Sequence, residues 1–385
     1  MEVNPVHVLF ISSWYPNRVH PTLGNFVQKH AEAVSDFARV TVLHVCYDDA
    51  VKGNNYEVVE QSEGEIRVIF IYLKKNAISF FRFYNYLKAY QAGMKMVKKK
   101  YGTPDIIHAN VLLPVGIVFC FLRSFRNIPF VFTEHWAGYL PEYPFKISRV
   151  KKCFVKNIIK RSKAMLPVTD NLKNAMIKRG FKGKYIVVPN VVDTDVFIPV
   201  QRNYLALKQI LHVSSPDNDQ KNISGILDII KKLSEKRQDF VLNMVIDGNF
   251  ATFTKQAEDM GILNKIVFFH GTKNTAEVAS MMKNSDFLIL FSNYENFPCV
   301  IAEAMACGLP VLSTNVGGIA EHVNETNGIL IKAKDNDAFE NGLNQMLDIC
   351  HNFDKKQIRN YAEAHFSYEV IGRQLVEIYN NILCS

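Results

Sequence analysis

Two glutamates eight positions apart, Glu295 and Glu303, stand in a stretch whose residue types could hold a phosphorylated sugar. It runs Asp286-Phe-Leu-Ile-Leu-Phe-Ser-Asn-Tyr-Glu295-Asn-Phe-Pro298-Cys-Val-Ile-Ala-Glu303-Ala-Met-Ala-Cys-Gly308-Leu-Pro310, followed by Gly317-Gly318 and Glu321. The pattern reads as strand, loop, helix, loop, strand and a second glycine turn. Pro298 suits the first helical position, where its missing N–H costs nothing, and Gly308 ends a helix of about ten residues before Pro310. The first-turn amides near Val300 carry an effective charge of about +0.5 and attract phosphate, while Gly317-Gly318 lets backbone approach a ligand closely. A carboxylate accepts two hydroxyl hydrogen bonds in one plane, which matches the vicinal diols of ribose and hexose. A carboxylate pair beside a phosphate seat therefore suits a sugar nucleotide. Taken singly, each glutamate reads equally as a solvent-facing acid at a helix start, stabilising the dipole by under about 1 kcal/mol.

The elements that must position these residues form a repeating pattern. Strand-like apolar runs occur at Val6 to Ser12, Val40 to Val45, Ile66 to Tyr72, Asp105 to His108, Pro129 to Thr133, Ala164 to Val168 and Tyr185 to Pro189, with helical stretches between most of them. The pattern restarts with Gln209 to Val213, Phe240 to Ile246, Ile266 to Phe269, Asp286 to Phe291, Leu309 to Ser313 and Gly328 to Ile331. Short apolar strands separated by helices indicate parallel sheets covered on both faces. The fold class is α/β: two Rossmann-like, doubly wound domains facing a cleft, with a C-terminal helix returning to the first. The expected boundaries are 1–200 for the first domain, 201–365 for the second, and 366–385 for the returning helix. That helix, Tyr368 to Leu383, has Val370, Ile371, Leu375, Ile378, Tyr379 and Ile382 on one side. Val111 to Leu122 reads as a buried helix, too short at 12 residues to cross a bilayer.

Composition narrows the classes. The chain has 385 residues, 48% hydrophobic and 21% charged, with 19 Gly and 14 Pro scattered without period, which excludes a disordered or fibrous polymer. Seven cysteines, odd in number and without a CxxC pair, read as reduced thiols and offer no zinc site. The start lacks the basic flank and apolar run of a secretory signal, so the expected location is cytoplasmic. Charge is divided unevenly: residues 1–200 hold 28 Lys and Arg against 15 Asp and Glu, net +13, and residues 201–385 are net −5. The first half thus suits an anionic surface. From Ile78 to Lys98-Lys-Lys100, aromatics and cations alternate at helical spacing, which fits either an interfacial helix or a packed helix with a solvated basic end. The basic excess favours the inner face of a membrane. Nucleic acid is not expected as a partner, because no stacking aromatics on an exposed sheet accompany the lysines.

The Glu295-x7-Glu303 stretch, with Gly308, Pro310 and Gly317-Gly318 in fixed order, closely resembles the signature of the family 4 retaining glycosyltransferases, which have the GT-B fold. Weaker matches follow in the family's order over nearly the whole chain. Tyr15-Pro16 with Pro21-Thr-Leu-Gly24 is similar to the first glycine loop, so Gly24 is expected to approach the donor diphosphate. Asp105-Ile-Ile-His108 is similar to a strand end near the acceptor, and Thr133-Glu-His135 to the segment whose histidine lies by the transferred sugar. For both histidines the alternative is a packed, hydrogen-bonded side chain. Val188-Pro189-Asn190-Val-Val-Asp193 resembles the interdomain Pro-Asn-Gly-Val-Asp segment, with Val191 in place of glycine. Lys221 matches one of the family's two diphosphate-holding cations; Ser214 or Ser215 stands where the other, an Arg, is usual. Val245-Ile-Asp247-Gly248 resembles a Gly-Asp-Gly strand end with Ile246 for the first glycine, and Phe269-His-Gly271 the loop beside the nucleotide base.

What this resemblance implies is a retaining hexosyltransferase that moves a sugar from a UDP- or GDP-sugar to a glycan or lipid-linked acceptor in cell-surface polysaccharide synthesis. No cofactor and no metal are expected, Asp193-Thr-Asp195 being a nominal metal pair misplaced in the hinge. Glu295 would orient the donor sugar through front-face attack, Lys221 and His135 complete the catalytic set, and Glu303 bind the ribose. Gly24, Asn296, Phe297, Cys299, Val300, Gly271, Asn190 and His108 are the remaining substrate-binding candidates. Two rivals remain: a two-carboxylate glycosidase, which explains neither the phosphate seat nor Lys221, and a catalytically idle GT-B protein that binds nucleotide sugar or glycan as a partner subunit.

Overall fold

The computed structural model describes residues 5–52, 56–75, 79–143, 147–201 and 207–385. Ile78, at the head of the aromatic and basic stretch, lies outside them. The chain divides into two compact units: residues 1–139, 144–191 and 368–385 form the first, residues 140–143 and 192–367 the second.

The first unit is built on seven strands: β1 (His7–Ser12), β2 (Arg39–Tyr47), β3 (Tyr56–Glu63), β4 (Ile66–Leu73), β5 (Ile106–Asn110), β6 (Phe130–Glu134) and β7 (Ala164–Pro167). Their order is β3-β4-β2-β1-β5-β6-β7. Every pairing is parallel except β3 with β4. Strands β1, β5 and β6 are buried along their whole length, as their continuous apolar runs require. Strand β3 (Tyr56-Glu-Val-Val-Glu-Gln-Ser-Glu63) was not anticipated, because it is an exposed, polar edge strand with no apolar alternation.

Helix Tyr368–Leu383 packs on helix Asn25–Ser35, and Ile371, Leu375, Ile378 and Tyr379 join the core formed by β1, β2 and β4. Gly372 makes this approach close, since a Cβ there would overlap the carbonyl oxygen of Ala33. The expected return of the C-terminal helix to the first domain is therefore seen.

Two expected elements differ. Residues 111–122 form not one helix but short pieces, Leu112–Val115 and Ile117–Phe121, with Leu113 non-helical. Pro114 lacks the N–H that a continuous helix needs there. Tyr185–Pro189 is an extended segment hydrogen-bonded beside β7, paired by a single bridge from Tyr185 to Met165, because Pro167 cannot donate to a continuing ladder.

The second unit is all parallel: β8 (Lys208–Ser214), β9 (Phe240–Ile246), β10 (Val267–Phe269), β11 (Phe287–Leu290), β12 (Val311–Thr314) and β13 (Gly328–Ile331), in the order β10-β9-β8-β11-β12-β13. Its cores lie on the two faces of the sheet. The chain enters this unit at Val192, ahead of the expected boundary at 200/201. Val192 and Phe197 are buried in its core, Val192 N–H donates to the Phe366 carbonyl at 2.8 Å, and Arg359 donates to the carbonyls of Phe197 and Thr194. In each sheet the winding direction reverses once, between β1 and β5 and between β8 and β11. Those reversals are where open α/β sheets leave a crevice at the strands' carboxyl ends.

Candidate active site

At the reversal of the second unit, the loops after β8 and β11 bring Lys221 and Glu295 together. Strand β8 ends at Ser214, and Asp217 caps a short turn of helix, Asn218–Lys221, by accepting from Gln220 N–H at 3.1 Å. Lys221 Nζ donates to Glu295 Oε1, and Gln220 Nε2 donates to Oε2 at 3.0 Å. The side chains are 13% and 6% exposed, so the pair is nearly desolvated and its charges act strongly on one another.

The Glu295 loop is held from two sides. Asn293 N–H donates to Gln220 C=O at 2.7 Å, and Gly318 N–H donates to Asn296 C=O at 2.8 Å. Gly317 has φ +58, and a Cβ there would overlap the carbonyl oxygen of Glu295. Gly317 therefore lets the turn after β12 lie directly against the glutamate's backbone, a contact that no side chain permits.

Helix Cys299–Ala306 follows. Pro298 is its N-cap in extended conformation and not its first residue, and the helix has eight residues, not ten. Val300 lies in the first turn, and Glu303, one turn further, is buried at 8% exposure. Gly308 (φ +68) ends the helix as the sequence implied. Cys299 is half-buried at its start. The Phe297 side chain leaves the candidate binding set: it is 3% exposed and packed on the rings of His322 (4.7 Å) and Phe366 (5.4 Å).

At Ser214, one of the two positions where the resemblance expects an arginine, the side chain belongs to a neutral pair. His212 Nδ1 donates to the Ile289 carbonyl at 3.0 Å, so its Nε2 accepts from Ser214 Oγ at 2.8 Å. Burial pushes this imidazole down to about 4, so it brings no charge at neutral pH. Gly271 (φ +64) follows β10 at the same edge of the sheet, three strands from β11, below the parallel stack of Phe250 on Phe269. Asp193 caps its own turn by accepting from the N–H groups of Asp195 (3.0 Å) and Val196 (3.1 Å).

At the reversal of the first unit the polar groups are histidines. Gly24 (φ +80) opens helix Asn25–Ser35 against the Trp14 carbonyl, where a Cβ would not fit. Phe26 and His30, on that helix, meet His135: the Phe26 and His135 ring centroids are 4.3 Å apart, those of His30 and His135 5.4 Å. His135 Nδ1 bonds Asn190 Oδ1 at 3.1 Å. His30 Nε2 lies 3.0 Å from the Pro189 carbonyl. Gly24, His135 and Asn190 are thus gathered by one helix and two loops.

His108 is not with them. Its ring is fully buried, with Nδ1 2.5 Å from Tyr379 Oη and Nε2 2.6 Å from Thr133 Oγ1. It is a packed, hydrogen-bonded histidine beneath the site, and the expected substrate contact is corrected accordingly.

Sequence reasoning passed over Glu134, beside His135. Its buried carboxylate accepts the N–H groups of Leu112 (3.1 Å), His135 (3.0 Å) and Trp136 (2.9 Å), and so ties the end of β5 to the end of β6. The neighbouring Val111, whose N–H donates to the Thr133 carbonyl at 3.0 Å, has a φ of +56, strained for a β-branched residue. Burial, opposed by the three N–H donors, pushes the Glu134 carboxyl up to about 7. The available signal was an acidic residue closing an otherwise apolar strand.

Among solved structures, sucrose-phosphate synthase from Thermosynechococcus elongatus superposes with a TM-score of 0.79, covering 98% of this chain and 99% of that one at 20% identity. The architecture is GT-B. Sequence comparison carries this to a family: the Glycosyltransferase Family 4 model matches residues 28–196 and the Glycosyl transferases group 1 model residues 199–364, so the chain belongs to the group 1, family 4 glycosyltransferases. An uncharacterized glycosyltransferase of Methanocaldococcus jannaschii is 27% identical over 83% of this chain and 84% of its own. D-inositol 3-phosphate glycosyltransferase of Corynebacterium urealyticum is 25% identical over 72% of each. The protein is a glycosyltransferase acting on sugar-nucleotide donors.

Proposed function

We propose that this glycosyltransferase moves a hexose or related sugar, with retention of configuration and without metal, from a UDP- or GDP-sugar to a glycan or lipid-linked acceptor in cell-surface polysaccharide synthesis. The observation that carries this reading is the buried Lys221–Glu295 pair at the β8/β11 reversal. A departing nucleoside diphosphate gathers negative charge on phosphate while the sugar ring becomes cationic. Lys221 and the amides at the start of helix Cys299–Ala306 meet the first charge, and Glu295 meets the hydroxyls of the sugar that carries the second. Both Glu295 oxygens already accept hydrogen bonds from Lys221 and Gln220, which favours an orienting role over that of a nucleophile. Glu303 takes the ribose diol, and His135, held by Asn190, faces the transferred sugar.

Contact with an anionic membrane face fits the first unit. Phe81, Phe83, Tyr84, Phe121 and Val150 are 37–67% exposed, the Phe83 and Phe121 rings are 5.5 Å apart, and Lys88 lies over Tyr84 at 4.4 Å. Exposed aromatics bordered by cations suit the headgroup region, where a lipid-linked acceptor resides. Among the described residues no helix is long and apolar enough to cross a membrane.

Calorimetry with UDP-, GDP- and ADP-sugars, without metal, tests the donor; Glu303→Ala should weaken the one that binds. NMR of the product then reads the anomer: retention supports the proposal and inversion overturns it. Binding without turnover in any acceptor extract assigns the idle-partner role instead. Flotation with anionic liposomes at low salt reads the membrane contact, and its absence removes that part.

A further inference from the structure

The reversal between β1 and β5 of the first unit opens into a cavity of about 400 Å³, within the size range of small-ligand sites. Its walls are aromatic and aliphatic: Leu23, Phe83, Tyr86, Pro114 and Ile117. Among the described residues, no Lys, Arg, Asp or Glu lines it, and the imidazoles of His20 and His44 are its basic groups.

Most of its polar groups are already committed. Ser13 Oγ donates to the Val111 carbonyl (2.8 Å) and accepts from Val115 N–H (2.9 Å). Asn17 Nδ2 donates to the Tyr15 carbonyl (2.7 Å), and its Oδ1 accepts from Val19 and His20 N–H (2.9 and 3.1 Å). Tyr47 Oη donates to the Arg82 carbonyl at 2.6 Å. His44 differs. Its Nδ1 lies 3.1 Å from the Ser12 carbonyl, which can only accept, so Nδ1 carries the proton and Nε2 carries a lone pair. No hydrogen bond is made by Nε2 among the described residues. Burial pushes this imidazole down to about 4, so it stays neutral at physiological pH.

We propose that this cavity seats the neutral, methyl-bearing sugar (6-deoxy or N-acetylated) at the growing end of the acceptor, with one of its hydroxyls donating to His44 Nε2 and its apolar face on Phe83 and Tyr86. This rests on the glycosyl-transfer reading above and specifies its acceptor. A sugar's C–H face stacks on aromatic rings, the His44 acceptor nitrogen selects a hydroxyl, and a lining without Lys or Arg gives sugar phosphates and uronic acids no permanent cation. A methyl group fills aliphatic wall that a hydroxymethyl group would leave wet. In an acceptor carried on a lipid diphosphate, the phosphates lie outside the cavity.

Saturation-transfer NMR on the full chain tests this with four probes: methyl α-L-fucopyranoside, methyl N-acetyl-β-D-glucosaminide, methyl α-D-glucopyranoside and glucose 6-phosphate. The fucoside and the N-acetylglucosaminide should receive saturation most strongly, methyl α-D-glucopyranoside less, and glucose 6-phosphate none. His44→Phe keeps a ring but removes the acceptor, and should weaken binding about tenfold; His44→Gln, which restores an acceptor oxygen, should recover part of it. Phe83→Ala, at an exposed position where folding is not at stake, should weaken binding as well. Equal saturation of His44→Phe and wild type, no transfer to any neutral glycoside, or preference for glucose 6-phosphate overturns the proposal. Calorimetric binding of UDP or GDP is run in parallel on every variant. Its loss in the wild type would defeat the donor reading alone, while an unchanged thermal unfolding transition in His44→Phe shows that the first unit is intact.

Discussion

The two units use the same sheet architecture for different electrostatics. At its reversal the second unit places an ion pair, Lys221–Glu295, against a glycine turn, whereas the first gathers histidines whose imidazoles burial keeps neutral, together with a glutamate pushed toward neutrality. A site that must meet a diphosphate keeps its charges. One that meets hydroxyls is better served by neutral donors and acceptors, which do not compete with water for a charged partner. The first should be broken by removing a single charge or gap, and the second should answer mainly to pH.

The largest effect is expected at Gly317. Gly317→Ala sets a methyl into the Glu295 carbonyl at a positive φ, and should cost the second unit about 4 kcal/mol or more and abolish donor binding. Gly261→Ala is the control: φ is +69 there, but nothing lies within 4 Å of the added carbon, so the cost should stay near 1 kcal/mol. Thermal unfolding and nucleotide calorimetry read both. Equal losses would show that the turn's backbone conformation, and not its contact with Glu295, is what matters.

Next is Lys221→Met, which keeps the side chain's length and leaves Glu295 buried without its cation. Removing one partner of so enclosed a pair costs about 3 kcal/mol, and turnover should fall by about 10²–10³. Restored turnover in Lys221→Arg would indicate that charge alone suffices.

These two sites show what a sequence makes legible. Most of the second unit's chemistry lies within one contiguous stretch, Asp286 to Glu321, because a strand, its loop and the next helix are neighbours in chain and space alike; Lys221 joins it from the loop after β8, and details such as the cap role of Pro298 and the packed ring of Phe297 escaped. The first unit assembles its site from single residues at the ends of β1, β2, β5 and β6, joined by hydrogen bonds between residues far apart in sequence. His44 and Glu134 therefore carried no local pattern, and His108, which did resemble one, proved to be a core residue. The polar edge strand β3 was missed for a related reason: its burial is too slight to leave an apolar period.

The pH response should separate Glu134 from the buried imidazoles. A carboxyl raised from 4.5 to about 7 binds more protons folded than unfolded between those values, so Glu134 costs stability as pH rises through that window, by about 3 kcal/mol in all. The imidazoles of His44 and His212, lowered from 6.5 to about 4, act oppositely and cost stability as pH falls from 6.5 toward 4. Glu134→Gln should remove the first effect and leave the second. Urea unfolding at about pH 5 and about pH 8 should then show the variant gaining on wild type as pH rises. A constant difference between the two would mean that Glu134 is ionised throughout.

The smallest effect sharpens the comparison from within the first unit. Tyr379→Phe removes the hydroxyl that lies 2.5 Å from His108 Nδ1 and changes nothing else in the returning helix's packing. Burial pushes the His108 imidazole well below its usual range, so it is neutral and needs one donor and one acceptor; Thr133 Oγ1 supplies one and Tyr379 Oη the other. Losing one neutral hydrogen bond in the core should cost about 1 kcal/mol. Donor binding and the kcat of transfer should not change, because His108 touches neither substrate. A fall in kcat at unchanged stability would return His108 to the site, and with it the view that the first unit's buried histidines form one working set and not a structural layer beneath a functional one.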